Sequence, residues 1–306
     1  MSADRSRSIQ AKRVLVVGGC GFIGSHLVRS LAEDNEVVAL DHVSPPKPIT
    51  GVDYVRQDLR KKIDRSKLPG RLDVVFHLAS AFLRNNESPM DYLSVTMTSV
   101  VDALDYATSA GAGNFLFTST GSVYSPGPTP HREDAPLRPT KNLYVAAKYS
   151  AELFVEHYAD QIPGVVTRLF GVYGKGTSNP WGRLARCIGA GDAVRLRRNG
   201  APHINPIYVR DLIPILEAAV MLGQYETINV GGERVSSNLE AANLMGDVLG
   251  KKPVVDWMED HDRHIVGDLT KMLSLFDYRP IWSLEQGIRA WLLHDDEPAD
   301  PSEIPD

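Results

Sequence analysis

Cysteine is scarce in this 306-residue chain: Cys20 and Cys187 cannot build a disulfide framework, and their separation does not match a metal-binding pair. Reduced thiols and no bound metal are therefore expected. Long apolar runs are missing too. No stretch approaches the roughly 18 residues that a membrane-crossing helix needs, and the opening MSADRSRSIQAKR is charged without the apolar centre of a secretory signal. The expectation is a cytoplasmic protein with no membrane partner. Positive charge is not in excess: 33 Lys and Arg against 38 Asp and Glu give a net charge of −5, which offers no basic field for nucleic acid. Acidic residues gather in HDDEPADPSEIPD, and tails at 1–11 and 295–306 are expected to be disordered. Apolar residues, at 43%, are plentiful enough for a substantial core.

Short apolar runs alternate with longer amphipathic stretches through the first half: VLVV at 14–17, VVAL at 37–40, VVFHLA at 74–79, FLFTS at 115–119 and VVTRLF at 165–170. Runs without polar alternation fit strands buried on both faces of a parallel sheet. Between them, Ser25–Asp34, Met90–Ala110 and Thr140–Ala159 carry helical spacing. The fold class is therefore read as α/β, a doubly wound parallel sheet of the Rossmann type, with ligands at the carboxyl ends of the strands. After Phe170 glycine and proline cluster in GVYGKGTSNPWG, which marks a smaller, interleaved C-terminal substrate lobe. Residues 1–170 form the expected dinucleotide-binding domain, with 204–235 rejoining it; 171–203 and 236–295 form the lobe.

In VLVVGGCGFIGSHL, Gly18, Gly21 and Gly24 follow a strand and open a helix, the context that a dinucleotide fingerprint requires. The first glycine permits a tight turn, the second lets a pyrophosphate approach backbone N–H groups, and the third allows close helix packing. Phe22 and Ile23 ride on the same turn. Asp41 ends the second strand, where a carboxylate accepts both ribose hydroxyls and repels a 2′-phosphate, so NAD is favoured over NADP. Asp58 and Leu59, after the third strand, are placed to meet the adenine ring.

Tyr144 and Lys148, read as YVAAK, stand four apart on a helical stretch and so share one face. A cation beside a phenol favours the phenolate, which suggests a tyrosine base beside a nicotinamide. Thr120 and Ser122, in FTSTGSVYS, fall at the carboxyl end of the fifth apolar run, where a hydroxyl can hold the reacting oxygen.

In their order, GGCGFIG, Asp41, QDLR, FHLAS, TSTGSVY, YVAAK, RLFGVYG, YVRDL, INVGG and GDLTKMLSLF resemble the extended short-chain dehydrogenase/reductases of the NAD-dependent epimerase/dehydratase family, from about Arg13 to Trp291. That resemblance implies action on nucleotide sugars, with Thr120, Tyr144 and Lys148 as the catalytic set. It also implies that Leu78, Ala79, Ser80, Phe170 and Val172 line the cofactor together with Lys148. A substrate surface of Ser80, Thr120, Ser122, Tyr144, Gly171, Asn179, Arg183, Tyr208 and Arg263 is expected, and so is a homodimer formed through the Met90–Ala110 and Thr140–Ala159 helices.

The departures narrow the reaction. Dehydratases of the family carry an Asp-Glu pair after the catalytic threonine, and the decarboxylases a glutamate at the second of those positions; here Gly121 and Ser122 stand there. An NAD-dependent epimerase acting at C4 of a UDP- or dTDP-linked hexose or uronic acid is the resulting expectation, and an NAD(P)H-dependent ketoreductase is its main rival. A catalytically silent NAD-binding sensor or scaffold is the alternative from another class. Gly171 replaces a customary asparagine, Ile204 and Asn205 stand where an arginine for the diphosphate is usual, and Thr96 replaces another asparagine. Arg183, Arg186, Arg197, Arg198 and Arg263 remain as candidates for the missing charge.

Overall fold

Successive side chains of the first strand enter two different cores. Val14 and Val16 are buried in one cluster and Leu15 and Val17 in another, and the same division runs through Val37/Val38 and Leu116/Phe117. Both faces of the strands are covered, so their sequences show no polar alternation. The computed structural model describes residues 9–81, 88–127, 129–138, 142–261 and 263–293.

The strands are β1 (Arg13–Val17), β2 (Glu36–Asp41), β3 (Val52–Arg56), β4 (Val74–His77), β5 (Asn114–Thr120), β6 (Gly164–Leu169), β7 (Val172–Tyr173), β8 (Ala193–Arg197), β9 (His203–Ile204), β10 (Ile207–Tyr208), β11 (Glu226–Val230), β12 (Ser236–Ser237) and β13 (Val254–Met258). The helices are α1 (Phe22–Leu31), α2 (Pro89–Tyr92), α3 (Ser99–Ser109), α4 (Leu143–His157), α5 (Pro180–Ala190), α6 (Val209–Val220), α7 (Asn238–Leu249), α8 (Thr270–Leu275) and α9 (Leu284–Leu293).

Seven strands form one parallel sheet in the order β11-β6-β5-β4-β1-β2-β3. Helices α1 and α6 bury their apolar faces on one side, and α3 and α4 on the other. The strand order reverses between β1 and β4, which opens a crevice at their carboxyl ends. There the Leu78 and Ala79 N–H groups both donate to the Val17 carbonyl, at 2.8 and 3.0 Å. Beyond β6 the short pairs β7–β10, β9–β12 and β8–β13 lie outside the main sheet, and α5, α7 and α9 pack on one another. Strand β11, from the segment expected to rejoin the first domain, pairs with β6 from Glu226↔Val165 to Val230↔Leu169.

Two sequence expectations are revised. Ile9 to Ala11, assigned to a disordered tail, are held: Ile9 is 3% exposed, its carbonyl accepts from Asn35 Nδ2 at 2.8 Å, and Ala11 N–H donates to Asp34 O at 2.9 Å. The rest of that tail and the C-terminal one lie outside the described residues. The helix expected over Met90–Ala110 is not uniform. Between α2 and α3 the Leu93–Thr98 segment is π-helical, with Ser99 N–H reaching Ser94 O, and such bulges often mark functional positions. Thr96 projects from this segment, fully buried, and its hydroxyl accepts from Ala81 N at 3.1 Å and pairs with Ser80 Oγ at 3.2 Å. The loop after β4 is thereby fixed by a residue that departs from the family pattern.

Candidate active site

Gly18 adopts φ +86°, and a Cβ there would lie 2.7 Å from Ala79 N; at Gly24 it would lie 2.0 Å from Gly18 O. Strand, turn and helix approach too closely for any side chain. At Gly21 the nearest atom to a Cβ is Gly18 O at 3.3 Å, which leaves the outer side of the turn open. The first turn of α1 begins there with Phe22 and Ile23, both half-buried, and a helix start beside a bare backbone favours an anion. Asp41 is fixed at the rim: its carboxylate accepts from Cys20 N at 3.0 Å and Val43 N at 3.3 Å, and His42 Nδ1 lies 2.9 Å away. This carboxylate-edged cradle fits a dinucleotide without a 2′-phosphate. Gly18, Gly21, Gly24 and Asp41 would hold NAD, with Leu78, Ala79 and Ser80 along the β4 side. Asp58 and Leu59 stand after β3 as expected. Asp58, however, is gripped by Arg60 from Nε and Nη2 (2.8 Å from Nη2), a pairing that lowers its pKa and that the sequence reading did not include.

The expected catalytic set converges at the end of β5. Thr120 closes that strand, and its Oγ1 accepts from Ser122 N at 3.2 Å; the Tyr144 phenol hydrogen-bonds to Thr120 as well. Asn142 starts α4 by accepting from Tyr144 N and Val145 N at 3.0 and 3.4 Å, which sets the tyrosine in the first helical turn. One turn on, Lys148 is 2% exposed; its Nζ donates to Thr118 O at 2.7 Å and lies 4.6 Å from the Phe117 ring centroid.

Electrostatically the site departs from the sequence expectation. Burial raises the Tyr144 phenol to about 12, and the Thr120 hydrogen bond only partly opposes this. Burial also pulls Lys148 down to about 7 against the pull of Glu152. Desolvation outweighs the cation's effect because the ammonium is directed at a carbonyl on the strand. Burial thus favours the protonated phenol.

Beneath Lys148 lies a buried network that sequence reasoning missed. Glu152, one further turn along α4, receives Arg168 Nη2 at 2.8 Å and the Ser119 hydroxyl. Arg168 Nη1 also donates to Tyr124 OH at 2.7 Å, and that hydroxyl donates to Asn229 Oδ1 at 2.8 Å. The i, i+4 placement of Glu152 after Lys148 was the only signal for it in the sequence.

Phe170 forms the opposite wall. Its ring is wedged between two glycines: a Cβ at Gly121 would lie 2.6 Å from it and one at Gly267 2.7 Å, while Tyr124 stacks on it at 6.0 Å. Gly171 follows with φ +116°, and the Ile204 side chain fills the place its Cβ would take, 2.6 Å away. The two departures from the family pattern are therefore complementary in space.

Three other expected contact residues, Asn179 and Tyr208 for the substrate and Val172 for the cofactor, also serve the fold. Asn179 caps α5, accepting from Trp181 N and Gly182 N at 3.0 and 3.1 Å, while its amide nitrogen donates to Val172 O at 2.7 Å. Tyr208 is buried against Tyr173 and Trp282, and Val172 joins the same core. Helix capping and core packing are the roles that the fold itself gives these residues. Ser122, Arg183 and Arg263 are exposed and remain available.

A sequence profile of the NAD dependent epimerase/dehydratase family matches residues 14–231. The Haloferax volcanii low-salt glycan biosynthesis protein Agl12 is 30% identical, over 93% of this chain and 99% of its own. A dTDP-glucose 4,6-dehydratase of Streptomyces griseus is 31% identical over 90% and 92%. Among solved structures, the UDP-glucuronic acid 4-epimerase of Bacillus cereus in complex with UDP-glucuronic acid and NAD gives a TM-score of 0.82 at 26% identity, over 92% of this chain and 98% of that one. With the glycine turn, Asp41 and the Thr120, Tyr144 and Lys148 set in place, the chain belongs to the NAD-dependent epimerase/dehydratase family.

Proposed function

We propose that the protein is a nucleotide-sugar epimerase that inverts C4 of a UDP- or dTDP-linked hexose or uronic acid through a transient keto intermediate. One observation carries this reading: Thr120, Tyr144 and Lys148 are assembled, yet the position after Thr120 has no room for an acid, because Gly121 abuts the Phe170 ring. Expelling a hydroxyl needs a proton donor there; moving hydride off and onto one carbon does not. NAD, when bound, supplies the hydride acceptor and donor. The chain does the rest. Thr120 orients the reacting oxygen, Tyr144 in its deprotonated form takes the proton of that oxygen as the hydride leaves and returns it when the hydride comes back, and Lys148 Nζ, bonded to Thr118 O, holds the end of the strand. Incubating the purified enzyme with UDP- and dTDP-sugars and no added reductant is expected to give the C4 epimer at constant cofactor redox state, read by product stereochemistry. A dehydrated or decarboxylated product overturns the assignment.

A second reading, an NAD(P)H-dependent ketoreductase, is favoured by the phenol's retention of its proton, which suits donation to a ketone. Conversion that occurs only when reduced cofactor is consumed stoichiometrically selects it.

The reading includes a cytoplasmic homodimer. Leu143, Tyr149 and Leu153 (49% exposed) on α4 and Met90 (61% exposed) and Leu93 beside it expose apolar side chains on two helical segments that touch each other. Paired with the same surface of a second copy, they bury that area in a four-helix arrangement. Light scattering at micromolar concentration is expected to report a dimer, and Leu153→Glu a monomer; a monomeric parent protein rules the interface out.

A further inference from the structure

Residues 263–267 lie as a segment between β9 and the loop that follows β5. Ile265 N–H donates to His203 O at 3.0 Å on one side, and on the other Gly127 N–H and His131 N–H donate to His264 O and Val266 O, both at 2.8 Å. The segment ends on Gly267, which abuts the Phe170 ring and donates its N–H to Asn205 Oδ1 at 2.8 Å. A side-chain contact also joins it to β9. His264 Nδ1 lies 2.8 Å from His203 Nδ1 and 3.1 Å from the His203 backbone nitrogen. The backbone hydrogen cannot pass to the other partner, so His264 Nδ1 must be the acceptor, and the proton between the rings belongs to His203 Nδ1. A proton on His264 Nδ1 would meet two donors and no acceptor.

We propose that His203 and His264 form a latch that holds segment 263–267 on β9 while the pair carries at most one extra proton, and that releases it when both rings are charged. The first proton is tolerated, because His203 donates from Nδ1 in either state; the second sets N–H against N–H and one cation against another. The surroundings resist that charge. Burial and the His264 ring hold the His203 imidazole below its usual pKa, against the pull of Glu240 in the first turn of α7, and that carboxylate is itself bonded by Arg234. Ser237, opposite His203 on β12, is the N-cap of α7, whose positive end adds to the penalty. On the segment's own side stand Arg263 and His261, and His261 Nδ1 accepts from Arg263 N at 3.1 Å. His131, on the loop bonded to the segment, stacks on Tyr124 at 4.9 Å. A histidine with a depressed folded-state pKa resists charge, so the latch is closed above the ordinary imidazole value of about 6.5 and loosens as the pH falls below it. The wall it holds is the one against Phe170.

The test is amide hydrogen exchange in the full-length protein at about pH 7.5 and about pH 5, corrected for the intrinsic rate at each pH. Protection of Ile265, Gly127 and His131 is expected to fall roughly 10-fold or more at the lower pH while the β1 amides hold. In His264→Asn, whose side-chain oxygen accepts the same two donors and does not titrate, protection is expected to stay level across both pH values. In His264→Phe, with no acceptor, it is expected to be low at both. Equal protection at both pH values in the parent protein overturns the proposal, and so does a His264→Asn protein that keeps the parent's pH dependence. Side-chain nitrogen NMR of the parent at about pH 7.5 needs no variant: a proton found on His264 Nδ1 overturns the proposal as well.

Discussion

Exchanging Tyr144 for Phe is expected to lower turnover by at least about 10²- to 10⁴-fold, the range supplied by a positioned proton-transfer group, while cofactor affinity stays within a few-fold. The hydroxyl's hydrogen bond with Thr120 is lost with it. Thr120 Oγ1 keeps its bond from Ser122 N, and Lys148 keeps its bond to Thr118 O. The ring's packing against Ala81, Tyr92 and Ala147 is retained in phenylalanine, so the melting temperature is expected to move little. Steady-state turnover alongside NAD titration by fluorescence separates the outcomes. Unchanged turnover refutes the assigned role, and a joint loss of turnover and folding would point to a structural phenol instead.

The largest effect on stability is expected from Arg168→Met. Arg168 and Glu152 are both almost fully buried, and their ion pair is closed at 2.8 Å. Removing the guanidinium leaves a carboxylate in the core with only the Ser119 hydroxyl, and takes the donors from Tyr124 OH and Glu133 O. Breaking one side of such a pair typically costs about 3–5 kcal/mol. Replacing Glu152 by Gln in the same chain removes the stranded charge, so the double variant is expected to be more stable than Arg168→Met alone. Denaturant unfolding of the parent, both single variants and the double variant measures this coupling. A single-variant loss under about 1 kcal/mol would mean that water or relaxation already satisfies the carboxylate.

The candidate site's geometry was legible where it depends on local spacing. Tyr144 and Lys148 are one turn apart on α4, and the glycines of the turn after β1 are separated by fixed short intervals, so sequence distance translates directly into geometry. The parallel sheet was equally plain from runs such as VLVV, because burial on both faces leaves no polar alternation to misread. What escaped depends on contacts between distant segments. Arg168, Glu152, Tyr124 and Asn229 meet across helix α4, strands β6 and β11 and the turn after β5, and nothing local in the sequence announces that meeting. Gly171 and Ile204 read as two separate departures until their side-chain space proved shared. The tyrosine's proton affinity was misjudged for a different reason: spacing gives the neighbour's charge, but not how strongly burial opposes ionisation. The capping role of Asn179 was not read from the sequence, because capping and binding draw on the same polar residues.

The wedged ring at Phe170 also couples two positions. An aspartate introduced at 121 into the present wall collides with an aromatic that Gly267 and Tyr124 keep from swinging aside. Trim that ring first, and the newcomer has a berth. Positions 121 and 170 thus share one space, and a side chain gained at the first is expected to need room given up at the second.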